Sequence, residues 1–302
     1  MPWRKGNRLQ MVREQDAPPA VQELYQEIRE SLGLAHTSVL HKVYAYYPRF
    51  LEAHWHALRP VVSTRFFFQL AERIAADAYT RMHNYFEIPD LIARTAELRF
   101  SSGAQQELRE TIELFQYSNP LLLLIVSAQM QAFDGPVGDP VAPRDPANHP
   151  VFTQKPVFID EETAPAPTRK IFDDMKRTFG MPVVNSDFRA LARWPDFLRT
   201  YWETLRPIYA SPLYQQSVYA VRENALAFAR ELPGPIELTV AQLSEIDMTD
   251  DQIASLVRIT ELFVGGLSAL VLNIAMAKIG MEGGNRHEKK QPNGEQQPTQ
   301  AA

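Results

Sequence analysis

Gly33-Leu34-Ala35-His36-Thr37-Ser38-Val39-Leu40, continuing to Tyr47-Pro48-Arg49-Phe50-Leu51, Trp55 and Leu58-Arg59-Pro60, has a second copy downstream. There Gly180-Met181-Pro182-Val183-Val184-Asn185-Ser186-Asp187 continues to Trp194-Pro195-Asp196-Phe197-Leu198, Trp202 and Leu205-Arg206-Pro207. Pro48 and Pro195, Trp55 and Trp202, and Pro60 and Pro207 are each 147 residues apart, with no gap between them. Ala17-Pro18 and Ala164-Pro165 keep the same interval upstream. A fixed interval of this kind means that one supersecondary unit is specified twice, and it governs every later reading.

The unit is helical. Val21, Leu24, Tyr25, Ile28 and Leu32 recur at three- and four-residue steps, which puts them on one face of a helix from Val21 to Leu32. Ile171, Phe172, Met175 and Phe179 do the same in a helix from about Thr168. Gly33 and Gly180 stand where a left-handed C-terminal cap belongs. Pro48 and Pro195 open the next helices, along which Phe50, Leu51 and Trp55 and their counterparts pack. Helices are predicted over Phe66–Tyr85 and Gln215–Leu232, and each half closes on an apolar helix, Pro120–Met130 and Leu262–Ala277. Strand and hairpin signals are poor.

The expected layout is all-α: a short N-terminal segment (1–16), a helical repeat (17–133), a linker (134–167), a second helical repeat (168–282) and a disordered tail (283–302). The linker holds Pro136, Pro140, Pro143, Pro146, Pro150, Pro156, Pro165 and Pro167, a density that forbids helix and predicts an extended strap. The two repeats are expected to be related by a pseudo-two-fold. Balanced charge, 31 basic against 36 acidic side chains, argues against nucleic acid or an anionic membrane as partner. Cysteine is absent, which excludes thiolate nucleophiles, Cys-zinc sites and disulfides. The polar N-terminus does not read as a secretory signal, and Leu262–Ala277 falls short of the ~20 residues of a membrane span, so a cytoplasmic protein is expected.

Duplication supplies a test for a site, since core residues should match their repeat mates and a site used once should not. Asp187 breaks the match, because its mate is Leu40. Asn119, in Phe115-Gln116-Tyr117-Ser118-Asn119-Pro120, breaks it in the opposite sense, because the corresponding stretch Phe263-Val264-Gly265-Gly266 has no amide. Pooled across a cleft between the halves, an acid and an amide would make one polar site. Locally each residue also reads as a helix N-cap: Ser186 or Asp187 before a helical run to Trp194, and Asn119 with proline at the first helical position. His36, His41, His54 and His56 invite a metal reading, but His54-x-His56 places two rings on different sides of a helix, and no metal site is expected. Trp55 and Trp202 recur and read as core, and Arg59 and Arg206 as holding a helix end or a carboxylate in each half. No phosphate loop, nucleophile elbow or dinucleotide fingerprint is present.

The string Asn185-Ser186-Asp187-Phe188-Arg189-Ala190-Leu191-Ala192-Arg193-Trp194-Pro195, with Phe115–Pro120 and its leucine run, resembles the group I 2-haloacid dehalogenases, also called the halocarboxylic acid dehydrogenase family. The resemblance runs from about Asp16 to Gly280. It implies a helical fold akin to the alkylhydroperoxidase-D group, a homodimer and no cofactor. It further implies that Asp187 is a general base and that Asn119 helps hold the water that displaces halide from C2 of a short 2-haloacid, with inversion and no covalent ester. Ser186, His36, Val39, Tyr117 and Phe263 are the implied substrate contacts. The family has a tryptophan and a phenylalanine where this chain has His36 and Val39, and a tyrosine at Phe263. The pocket wall therefore differs while the base and amide persist. The competing expectation is a helical protein of the same scaffold that binds or transforms another small hydrophobic acid.

Overall fold

The computed structural model describes residues 9–96, 101–181 and 183–285. Pro182, most of the N-terminal segment (1–8) and nearly all of the expected disordered tail (286–302) lie outside the described residues. The chain is all-α. After a 3₁₀ turn at Glu14–Asp16 come α1 (Pro19–Leu32), α2 (Val39–Tyr44), α3 (Pro48–Val62), α4 (Arg65–Tyr85), α5 (Leu91–Ala96) and α6 (Ser102–Ala132). Then follow α7 (Ala166–Phe179), α8 (Ser186–Leu191), α9 (Pro195–Tyr209), α10 (Pro212–Glu231), α11 (Val240–Glu245) and α12 (Asp250–Met281). Among the described residues β structure is confined to three isolated bridges. The starts of α7, α8, α9 and α10 lie 147 residues beyond those of α1, α2, α3 and α4.

Local chemistry sets these boundaries. Gly33 (φ 64°) and Gly180 (φ 66°) are left-handed and end α1 and α7. Gly33 has a second constraint, since a Cβ there would collide with the Pro150 carbonyl of the strap. Proline opens α3 and α9 at the first helical position, where its missing N–H costs nothing. Ser38, Thr64 and Ser211 cap α2, α4 and α10, and Thr239 and Thr249 form capping boxes at α11 and α12. Arg59 reaches Glu27 at 2.6 Å and Arg206 reaches Asp174 at 3.4 Å, so each recurring arginine does hold a carboxylate. Trp55 and Trp202 are core.

The centre is the pair α6 and α12, which pack along each other and are flanked by α4 and α10. Two expectations about these helices fail. The apolar helices were read from Pro120 and from Leu262, but they begin at Ser102 and Asp250. Asn119 and Pro120 therefore lie inside α6, not at its start. Burial explains the continuation: Ser118 through Gln129 are buried without a break, and packing on all sides outweighs one lost backbone bond. The length argument against a membrane span fails too. α12 has 32 residues and is long and apolar enough to cross a bilayer by length and composition, although 67% of its most apolar window is buried inside the protein.

Residues 133–165 contain no helix and are stitched to the body. Val137 pairs with Ile236, and the Phe152 N–H donates to the Gly33 carbonyl at 2.8 Å. The Ile159 N–H donates to the Arg189 carbonyl, and Arg189 Nε donates back to the Ile159 carbonyl, both at 3.0 Å. This fixes the strap across α8.

Candidate active site

Helix α8 packs on α6, and that contact brings the two symmetry-breaking residues together. Asn119 Nδ2 donates to Asp187 Oδ2 at 3.4 Å, with Asp187 only 3% and Asn119 only 4% exposed. Asn185 is the residue at the N-cap of α8, and its side chain makes no cap bond, so neither Ser186 nor Asp187 holds that position. Asp187 sits in the first turn of α8, where its own N–H and that of Phe188 favour the charged form of its carboxyl.

The second carboxylate oxygen, Oδ1, is buried without a protein partner. Burial is the largest influence on this group and pushes its pKa up from 3.8 to about 7, against the opposing hydrogen bonds from its own N–H, Asn119 and Phe188. No cation pairs with it among the described residues. A desolvated carboxyl poised near neutrality, with one free oxygen beside a fixed amide, is equipped to take a proton from a water molecule. Burial, and after it the Asp187 charge, raises the pKa of the Tyr201 phenol, whose OH donates to the Asn273 carbonyl at 2.7 Å.

His36 stands edge-on to Phe115 (ring centroids 6.2 Å apart) and to Phe158 of the strap (5.6 Å). Phe115 is one turn before Asn119 on α6. Arg189, two residues past Asp187, lies over the Phe158 ring, 5.9 Å from its centroid. His36 is 8% exposed, its Nδ1 has no partner, and burial followed by the charge of Lys42 lowers its pKa to about 4. Ser186 is the first residue of α8 and Val39 the first of α2, and both are half-buried. Phe263 packs 6.5 Å from Tyr44. Tyr117 is placed elsewhere. Its OH donates to the Leu32 carbonyl at 3.0 Å and its ring packs on Phe152 at 5.1 Å. Two residues from Asn119 on one helix, it projects to nearly the opposite face.

A surface concavity of about 290 Å³ is lined by Glu110, Lys155, Val157, Ala190, Arg193 and Trp194 among others, and includes neither Asp187 nor Asn119. It borders α6, the strap and α8, one turn from Asp187 along α8. The sequence reading missed Phe158, which the strap brings back onto His36. It also missed Tyr201. No group of three or more metal-type ligands occurs among the described residues.

Residues 35–188 match the family described as halocarboxylic acid dehydrogenase DehI. The chain is 28% identical over 275 residues to an (R)-2-haloacid dehalogenase of Pseudomonas putida, covering 88% of this chain and 91% of that one. It is 23% identical over 273 residues to a configuration-inverting 2-haloacid dehalogenase of Pseudomonas sp. (strain 113), covering 84% and 86%. A solved D-2-haloacid dehalogenase in complex with L-LA superposes with a TM-score of 0.88 at 25% identity, covering 93% of this chain and 99% of that one. A mutant of a D-2-haloacid dehalogenase with D-2-CPA gives the same TM-score, 0.88.

Proposed function

The chain belongs to the halocarboxylic acid dehydrogenase DehI family, and from that footing we propose how its buried pair performs the family's chemistry. The protein is a hydrolytic 2-haloacid dehalogenase that displaces halide from C2 of a short haloalkanoic acid with inversion of configuration.

Asp187 is the general base and Asn119 the water-holding amide. The observation that carries this is the carboxylate oxygen Oδ1, buried, unpartnered and 68 residues in sequence from the amide that bonds its neighbour Oδ2. Water is a poor nucleophile toward sp³ carbon. As Asp187 takes one of its protons, the water oxygen forms a bond to C2 and the carbon–halogen bond breaks, its electron pair leaving with the halide. Asp187 then returns the proton to solvent. General-base assistance contributes about 10²–10⁴-fold, and alignment of water with the breaking bond contributes more. No covalent ester and no cofactor enters.

Ser186 and His36 orient the substrate carboxylate. His36 Nδ1 is unpartnered; of the charges acting on that ring Lys42, Lys155 and Arg29 are positive, and Glu14, which pairs with Lys42 and Arg29, is negative. The unpartnered nitrogen supports a hydrogen bond with the substrate carboxylate. Val39 and Phe263 form apolar wall. The concavity beside Ala190 is the outer vestibule of the buried site. The two halves, 17–133 and 168–282, are copies of one duplicated unit related by a pseudo-two-fold and joined by the proline-rich strap 134–167; the common spacing of helix starts supports this. A homodimer in the cytoplasm belongs to the same reading. The half-exposed apolar residues Leu262 and Leu270 of α12 supply surface that a second copy can cover, which size-exclusion chromatography tests.

Halide release from D- and L-2-chloropropionate by the purified protein, beside Asp187→Asn, tests the assignment. A single turnover in H₂¹⁸O puts the label in the hydroxy acid and none in Asp187. Label in the aspartate would replace general-base attack by an ester route, and undiminished release by the variant would remove Asp187 from the chemistry.

A further inference from the structure

The first half holds a buried polar cluster that the dehalogenation chemistry does not use. His41 of α2 and His54 of α3 are both fully buried, with ring centroids 6.3 Å apart. Each ring is fixed by one nitrogen. His54 Nδ1 lies 2.7 Å from Gln129 Oε1 on α6. An amide oxygen only accepts, so the His54 proton is on Nδ1 and its Nε2 presents a lone pair. His41 Nδ1 lies 2.8 Å from Ser38 Oγ. That oxygen already accepts from the His41 backbone N–H as the cap of α2. The Ser38 hydroxyl has no other acceptor within reach among the described residues, so its proton goes to His41 Nδ1, and His41 carries its own proton on Nε2.

Three buried polar atoms remain without a protein partner: His41 Nε2, His54 Nε2 and Gln129 Nε2. Orphaned polar atoms in an interior are rare, and two on neighbouring buried rings call for an occupant. His41 Nε2–H is a donor and His54 Nε2 an acceptor, but they cannot satisfy one another directly. With centroids 6.3 Å apart, the two Nε2 atoms approach no closer than about 4 Å, beyond the ~3.2 Å reach of a direct hydrogen bond.

We propose that an ordered water molecule is a constitutive part of this cluster, accepting from His41 Nε2–H and donating to His54 Nε2. Both imidazoles are neutral in the fold, so nothing attracts an anion. Two ring nitrogens without a carboxylate are too few donors for a resident cation, in keeping with the absence of any group of three metal-type side chains among the described residues. The water ties α2 to α3, and His54 carries the link on to Gln129 of α6, the helix that presents Asn119 ten residues before Gln129. At the equivalent positions the second half has Phe188 and Tyr201, stacked at 5.9 Å, which present no ring nitrogen to a water.

A crystal structure of the full chain that resolves ordered solvent, and long-range ¹⁵N–¹H spectra of the histidine rings, test this. The expected results are one water peak within hydrogen-bond reach of both Nε2 atoms, an Nε2–H tautomer at His41 and an Nδ1–H tautomer at His54. His41→Phe/His54→Tyr, which installs the second half's residues, should lose the peak and keep halide release within twofold. An empty gap, rings turned into direct contact, reversed tautomers, or a stoichiometric metal in elemental analysis of the wild-type protein would each overturn the proposal. The crystallographic and spectroscopic readings need no variant to fold. They are also independent of whether the protein dehalogenates.

Discussion

The two halves carry the same frame around different interiors. Glu14 accepts the Thr37 N–H at 3.0 Å and pairs with Arg29, and Glu161 accepts the Val184 N–H at 2.9 Å and pairs with Lys176. Phe50 stacks on His54 at 5.5 Å as Phe197 stacks on Tyr201 at 6.1 Å. The residues inside this frame are exchanged: Leu40, His41 and His54 on one side, Asp187, Phe188 and Tyr201 on the other. Ion pairs and caps at the rim set helix spacing. Inside that rim, residues 168–282 hold a single desolvated carboxylate among the described residues, and residues 17–133 a neutral, uncharged polar cluster.

The sharpest way to break the comparison is to remove that charge. Asp187→Asn keeps size and the contact with Asn119, and should lower kcat for halide release by about 10³-fold or more, measured by chloride assay. Leu40→Asp in that background should not restore turnover, because Asn119 faces Asp187 and not residue 40. The same Asp187→Asn variant should be more stable at pH 8. The carboxyl's pKa is raised on folding from 3.8 to about 7, so its contribution favours the fold below pH 3.8 and is lost as pH rises through 7. The gain is at most about 4 kcal/mol and reads out as a higher Tm. A lower Tm would mean that the carboxylate is structurally paired.

Titration gives the next effect. Asp187 must be ionised to act as base, so kcat should rise with pH and level off above about 7, falling near tenfold per unit below it. Asn119→Ala should cost about 10²-fold and move that limb to higher pH, because the Asn119 hydrogen bond lowers the Asp187 pKa. An unmoved limb would show that the amide holds water alone and does not stabilise the carboxylate.

How far the site was legible in the sequence follows from the same pairing of halves. Glycine caps, proline starts and the 147-residue interval gave helix order and spacing, because these signals are local. Asp187 stood out against Leu40 for the same reason. Asn119 was selected through its missing mate, yet placed at a helix start, since Asn-Pro is a strong local cap signal and burial of α6 on all sides is a tertiary fact. His41 and His54 differ from Phe188 and Tyr201, but the spacing of His54 and His56 drew attention to metals first. Phe158 beside His36 was not legible, because the path of a proline-rich strap is set by contacts with distant helices.

Acid should separate the halves further. His41, His54 and His36 have pKa values lowered by burial from 6.5 to about 3, 4 and 4. Each favours the fold fully above pH 6.5, and that contribution is lost as pH falls toward 4. Asp187 acts in the opposite sense over part of that window. The wild-type Tm should therefore drop between pH 7 and pH 5, and His41→Phe/His54→Tyr should flatten the drop by removing two of the three histidines. An equally steep loss in the variant would place the acid sensitivity elsewhere.

The smallest expected effect concerns the wall between the halves. His36 belongs to the first half but meets Phe115, one turn from Asn119, and Phe158, which lies under Arg189. It thus joins the uncharged interior to the catalytic one. If its unpartnered Nδ1 binds the substrate carboxylate, His36→Phe keeps the aromatic contacts and removes one hydrogen bond. That loss is worth about 1 kcal/mol, so KM for 2-chloropropionate should rise roughly fivefold with kcat nearly unchanged. A fall in kcat with KM constant would instead make His36 a support for Phe115 and, through it, for the Asn119 turn.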